Sequence, residues 1–393
     1  MDRVHSDMNI KKIKYSRIYK GDTWKINGGN DDYLQLNSIN LIVGQNATGK
    51  SNTISTIFQL ANLLANKIDL LKLVYDTAEY DVFFNDQFDE IHYMLKYVEG
   101  KVTDEKLYLN GELRVDRQAG KIYYESLNQM VDTQTEDFML LSSRRDSIQF
   151  PYLDKLFHWG NRISEYNFGT LMGKNRGIKD VNIDFGKDAD KDLTILDGES
   201  AIFSYIIGKR KIDGFENQII EDLKSIGYEI NSIDVKKPKR EGLGGKVISV
   251  QEKYLNSYTD QLEMSQGMYR ALSLILQMEY SIKLGLSSCI LIDDIGEGLD
   301  YERAQALIKL IVSRTENTNL QVIMTTNDRF VMNSVDLKYW HIIGRTAGIT
   351  RFYNIKNSPE AFQTFYKMGL NNFEFFQSKY YQGINIFSRP LKR

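Results

Sequence analysis

One cysteine, four prolines and four histidines in 393 residues leave little material for several kinds of chemistry. The lone Cys289, set in an apolar run, excludes an internal disulfide framework and a cysteine zinc site, and it suits a reducing compartment, with the cytoplasm as the expectation. His5, His92, His158 and His341 are scattered, without the spacing of a metal or HNH centre, so each reads as structural. An excess of one charge is also missing. Lys and Arg total 50 against 52 Asp and Glu, so no global basic field points to nucleic acid or to an anionic membrane. The longest leucine-rich stretch, 60–74, is interrupted by Asn62, Asn66, Lys67, Asp69 and Lys72, and the first eight residues are polar, so neither a membrane span nor a leader is expected. The few prolines and 28 glycines build no low-complexity linker and no fixed-period repeat. With 42% hydrophobic residues, the chain is expected to form a single body with insertions.

What is present begins with Gly44-Gln45-Asn46-Ala47-Thr48-Gly49-Lys50-Ser51-Asn52. It follows an apolar run (Ile39, Leu41, Ile42, Val43) and precedes a helical pattern (Ile54, Ile57, Phe58, Ala61, Leu64, Ile68). Strand, glycine-rich turn and helix in that order form a phosphate-binding loop of the G-x-x-x-x-G-K-S type. Glycines let the backbone N–H groups curl around a di- or triphosphate, and the helix adds its positive end. Lys50 is expected on the β- and γ-phosphates of ATP, and Ser51 on Mg²⁺.

Upstream, 10–18 and 24–26 read as strands, with the turn cluster 27–32 between them and 39–43. Tyr19 or Trp24 could stack on a base, but a strand aromatic is more often core. Downstream, 90–126 alternates as an antiparallel sheet with turns at Asn110-Gly111 and Ala119-Gly120. Residues 127–260 mix helical and strand patterns and are expected to form an inserted lobe. Its basic run Lys236-Lys-Pro-Lys-Arg240, beside Gly242-Leu-Gly-Gly245, reads first as a solvated loop and second as a phosphate-backbone contact.

A second informative stretch is Leu262-Glu-Met-Ser-Gln-Gly-Met-Tyr-Arg-Ala-Leu272, with a helical apolar face after it. Then come Cys289-Ile-Leu-Ile-Asp-Asp-Ile-Gly-Glu-Gly-Leu-Asp300, an apolar strand ending in acid, and Gln321-Val-Ile-Met-Thr-Thr-Asn-Asp328. In this order the motifs resemble those of ABC-class ATPases: Walker A, a signature loop usually written L-S-x-G-Q, Walker B with a D-loop, and a switch strand. The resemblance implies an α/β fold, an ABC-ATPase head: a P-loop NTPase with a mixed sheet flanked by helices, an antiparallel β subdomain and an inserted α/β or helical lobe. It implies ATP and Mg²⁺ as ligands, with Ser51 and Asp293 on the metal. Ser265 and Gly267 would meet the γ-phosphate held by a second copy, and Asp300 would close the D-loop. Asp294 takes the catalytic carboxylate position, where relatives carry glutamate, and Glu297 is an outside candidate to assist. Asn327 stands where the family has a switch histidine; it can donate a hydrogen bond but carry no proton. Slow hydrolysis is the expectation, since a displacement of about 1 Å can cost on the order of 10²-fold in rate.

Ser51 and Ser265 are 214 residues apart, too far for a transporter domain and too near for the coiled coils of SMC proteins. That interval and the G-x-N-x-x-G-K-S-N loop resemble the RecF and OLD-like group, many of whose stand-alone members serve anti-phage defence. The expected organisation is 1–126 and 261–343 as two parts of one ATPase head, 127–260 inserted, and 344–393 as an aromatic-rich tail with core packing favoured over docking. After residue 330 only 63 residues remain, too few for the TOPRIM nuclease domain of OLD proteins. The functional expectation is therefore an ATPase, working as a homodimer or higher homo-oligomer, that controls a separately encoded nuclease or toxin. A RecF-like DNA-repair ATPase and a slow or non-hydrolysing nucleotide sensor are the alternatives, nucleic acid is an open partner, and no membrane is involved.

Overall fold

The computed structural model describes residues 8–382 except 28–32, 74, 135–136, 138, 145, 173, 175–200, 240–244, 287, 347 and 370. Most of the turn cluster 27–32, and the end of the basic run at Arg240 with 241–244, thus lie outside the described residues. The chain divides into two compact units, one of residues 1–161 with 323–393 and the other of 162–322.

The first unit is built on an antiparallel meander. Strands Asn9–Tyr19, Thr77–Asn85, Glu90–Val98, Lys101–Leu109, Glu112–Asp116, Lys121–Tyr124 and Gln129–Asp132 follow one another in the sheet. Alternation fixes its two faces. Ile13, Val82, Tyr93, Leu107, Val115 and Ile122 are register partners across six strands, and all are buried. One residue along, Lys12, Phe83, His92 and Tyr108 form the outward row. A one-residue slip would exchange these rows, so burial of one face sets the register.

On its other side Asn9–Tyr19 pairs with Asp22–Asn27, which lies parallel to Ile349–Tyr353; that strand forms a hairpin with Trp340–Thr346. Trp340–Thr346 in turn runs parallel to Ile39–Val43, all five of whose residues are buried. A strand covered on both faces loses alternation, which is why 39–43 reads as a plain apolar run. Helix Lys50–Leu64 leaves the end of this strand and packs against helix Pro151–Asn161. Of the C-terminal aromatics Phe352, Phe362, Phe365, Phe375 and Tyr381 are buried, with ring centroids of the Phe365–Phe375 pair 4.5 Å apart, while Tyr366 is half exposed.

In the second unit, strand Ile163–Asn167 runs parallel to Cys289–Asp293. An 18-residue helix, Gln266–Lys283, packs against helices Ala201–Lys211 and Phe215–Ser225. A three-stranded antiparallel sheet of Ile230–Lys236, Val247–Glu252 and Thr259–Asp260 precedes it. Among the described residues no helix is long and apolar enough to cross a membrane.

Candidate functional site

In the first unit the phosphate loop is shaped by two glycines with different duties. A side chain at Gly44 would stand 2.3 Å from Ile343 Cγ2 and 2.8 Å from Thr48 Oγ1, so the loop's first turn requires bare backbone there. Gly49 has φ 109° and sits directly before helix Lys50–Leu64. Gly49 supplies no side-chain cap to that helix and its first turn carries no acid, a helix start that suits an anion. Ala47 holds φ 63°, a conformation usually left to glycine.

Lys50 is buried, and its ammonium donates to the carbonyls of Gly44 (2.9 Å) and Gln45 (3.2 Å). Thr48 Oγ1 also donates to Gln45 O, at 2.8 Å. These contacts place a cation inside a cradle of backbone, the arrangement a polyphosphate needs, with the hydroxyl of exposed Ser51 and Asn52 on the helix's first turn. Strand Gln321–Thr326 ends beside the loop, and Asn327 Nδ2 donates to Asn46 Oδ1 at 2.8 Å. Gly44 to Asn52 and Asn327 are thus gathered at one end of the first unit. Asp328 is structural: it caps helix Arg329–Ser334 through the N–H groups of Phe330 and Val331.

In the second unit Asp293, largely buried, ends its strand, and Asn167 on the neighbouring parallel strand is its register partner. Phe168 N donates to Asp293 O at 3.0 Å, holding the two strand ends together. Asp294 follows with φ 54°, and Glu297 N returns to its carbonyl at 3.1 Å. Gly296 (φ 97°) and Gly298 (φ 77°) complete a run of tight turns that delivers Asp300 to the start of helix Tyr301–Thr315. Asp300 accepts from Arg303 N at 3.0 Å and pairs with the Arg303 guanidinium at 2.6 Å, which holds its carboxyl below the usual range.

Ser265 caps helix Gln266–Lys283, its Oγ accepting from Met268 N at 3.2 Å, and it is exposed. Gly267 lies under it against the D-loop; a Cβ there would be 2.7 Å from Gly298 O. Buried Arg270 ties the same pieces together, donating to Glu297 O (2.6 Å) and Thr170 O (3.0 Å). Ser265, Gly267, Asp293, Asp294, Glu297 and Asp300 therefore share the second unit.

Sequence reasoning missed Asn167 and Arg270. Asn167 carries no local signal, since only its pairing with a strand more than a hundred residues later gives it a place. Arg270 had one: a cation one helical turn after Gly267 on a helix otherwise buried at those positions. Trp24, weighed for base stacking, is buried, and its ring nitrogen and Thr350 Oγ1, both 3.4 Å from where a Gly49 side chain would begin, have no hydrogen-bond partner.

Two solved structures share this architecture. An Smc head bound to the C-winged helix domain of ScpA superimposes with a TM-score of 0.54 at 13% identity, over 87% of this chain and 97% of that one. The Smc head domain with an extended coiled coil, bound to the C-terminal domain of ScpA, from Pyrococcus furiosus, gives 0.53 at 13% identity, over 91% of this chain and all of the other. The chain has the fold of an Smc head. That fold is the ABC-type ATPase head expected from the motifs, with its mixed sheet and flanking helices. No protein-family model matches the sequence, and no curated protein does.

Proposed function

We propose that this protein is an ATPase whose two copies close on ATP and Mg²⁺, and that the closed pair controls a separately encoded effector. The observation that carries this reading is the phosphate loop itself: a buried lysine on the loop carbonyls, an uncapped helix start free of acid, and an amide from the switch strand on the loop's tip. Lys50 and the N–H groups of 44–52 would bind the phosphates, and Ser51 and Asp293, the positions the resemblance implies, would hold Mg²⁺, which would supply charge neutralisation. Asp294 orients the attacking water and takes its proton, with Glu297 in reserve, and Asn327 donates to the γ-phosphate.

Exposed Ser265 at a helix start whose first turn carries no acid supports a trans role toward a second copy's γ-phosphate, with Gly267 and Asp300 shaping that face. Contacts made to the γ-phosphate only in the closed pair shift the population between states. The division of one head into 1–126 and 261–343 around an inserted 127–260, with 344–393 packed as a tail, belongs to the same proposal.

The effector's class, a nuclease or toxin of a cytoplasmic anti-phage system, rests on the resemblance to stand-alone RecF and OLD-like ATPases. Those two Smc heads are each bound to a ScpA domain, which supports a partner protein as the output here. The DNA-repair alternative is weaker at the basic run: Lys236 pairs with Asp234 (3.4 Å) and lies over Tyr258, and Lys239 pairs with Glu263 (3.0 Å). The slow-sensor alternative keeps its basis in Asp294 and Asn327. Light scattering with and without ATP tests the reading: an ATP-dependent rise in mass that Lys50→Ala abolishes is expected, and a mass indifferent to ATP would sink it.

A further inference from the structure

We infer that Asn46, a loop residue not itself required by the G-x-x-x-x-G-K-S pattern, is the positioning residue for Asn327. This inference rests on the ATPase reading above. Asn46 Oδ1 accepts from Asn327 Nδ2 at 2.8 Å, joining the tip of the phosphate loop to the end of the switch strand across 281 positions of sequence. Both side chains are exposed, so burial does not fix either one. The bond does.

An asparagine can turn either face of its amide to a ligand, and the two faces act oppositely: the NH₂ attracts a phosphate oxygen and the carbonyl repels it. With Asn46 presenting its Oδ1, as it does here, only the NH₂ of Asn327 can bond to it. One of the two hydrogens is used by Asn46, and the second remains to donate to a γ-phosphate seated in the loop. A histidine at this place would be oriented and charged by its surroundings; an amide has no charge to gain, so orientation is its whole contribution.

In hydrolysis the water oxygen forms a bond to the γ-phosphorus, the bond from that phosphorus to the β–γ bridging oxygen breaks with its electron pair going to ADP, and the water proton passes to Asp294 and then solvent. Asn327 transfers nothing; it stabilises charge on the γ-oxygens, and Asn46 keeps it aimed.

A double-mutant cycle on the full chain tests this, with ATP affinity and steady-state phosphate release measured for wild type, Asn46→Ala, Asn327→Ala and the double variant. Removing one preorganised donor of this kind costs about 10²-fold in kcat. Asn327→Ala should lose about that much, Asn46→Ala a comparable share with ATP affinity within about threefold, and the double variant no more than the worse single one. Asn46→Asp, which retains an acceptor, should recover kcat while raising KM by charge repulsion. Losses that multiply, or an Asn46→Ala effect confined to KM, would overturn the inference. If the wild-type protein binds ATP but releases no phosphate, hydrolysis is lost from the proposed function alone, and the cycle is read on the ATP-to-ADP affinity ratio; equal ratios in all four proteins overturn the inference. Absence of ATP binding by the wild type overturns both.

Discussion

Asp294 shows how a single backbone angle bears on chemistry. At φ 54° it occupies the left-handed region, which asparagine and aspartate enter far more readily than longer residues. The missing methylene relative to glutamate thus accompanies a turn that favours a short acid. Asp294→Asn keeps the turn and removes the carboxylate proposed above as proton acceptor, so phosphate release should fall by on the order of 10²-fold or more while fluorescent-nucleotide binding stays near wild type. Asp294→Glu should give no gain in rate and should cost about 1 kcal/mol in urea unfolding; a faster, equally stable Glu variant would refute this account. A different acid responds to pH. Buried Glu279 on the signature helix lies 3.2 Å from Arg314 Nε, and Arg314 also holds buried Asp222 at 2.6 Å. Burial, then the negative charge of Asp222, pushes the Glu279 carboxyl up to about 7 against the pull of Arg314 and Lys283. An acid raised in the folded state favours folding while it is protonated, so this contribution is full below about pH 4 and is lost as pH climbs toward 7. Glu279→Gln should flatten the stability profile between pH 5 and 8 and leave the protein more stable at pH 8; an unchanged slope in urea titrations would remove Glu279 from the explanation.

At the scale of elements, the phosphate helix depends on a neighbour that comes a hundred residues later. Helix Pro151–Asn161 approaches it so closely at Gly160 that an added Cβ would stand 2.4 Å from Ala61 O and 3.0 Å from Ala65 N. Both are backbone atoms of the facing helix or its cap and cannot swing aside. Gly160→Ala should therefore destabilise by about 1–3 kcal/mol despite alanine's better helix propensity, and thermal unfolding above the wild-type midpoint would contradict the contact. Nothing in the sequence marks Gly160, and the reason is general to this chain. The strand before Gly44, the loop and Lys50–Leu64 are contiguous, so their constraints appear side by side and can be read; so can Cys289–Asp293 and Asn327. Strand Ile163–Asn167 has its partner at Cys289–Asp293, and its Ser164 and Glu165 break any simple pattern. Helix Ala201–Lys211 buries Ala201, Ser204, Tyr205 and Gly208 along one face, but Ser204 and Gly208 interrupt that face and Ile202, Ile206 and Ile207 lie to its sides, so the sequence shows no clean apolar stripe. Elements completed by remote partners were opaque, and Asn167 was lost with them.

For the whole molecule, the decisive question is whether a site is completed within one chain or between two. Lys50 belongs to the first unit and Ser265 to the second, and each has a substitution that disables it alone: Lys50→Ala empties the phosphate cradle, and Ser265→Arg fills the signature face with a bulky side chain. Each variant by itself should lose ATP-dependent pairing and phosphate release. A two-fold pair in which each copy lends its signature to the other's nucleotide makes a further demand. In a mixed pair, the intact loop of the Ser265→Arg copy meets the intact signature of the Lys50→Ala copy, and one complete site reappears. Because neither variant pairs with itself, equal concentrations yield mixed pairs with one working site of two, so phosphate release should return to about half of wild type at most. Release that stays at the level of the single variants, with both proteins folded and the Ser265→Arg chain still binding ATP, would place Ser265 outside the partner's site and leave the switch within one chain.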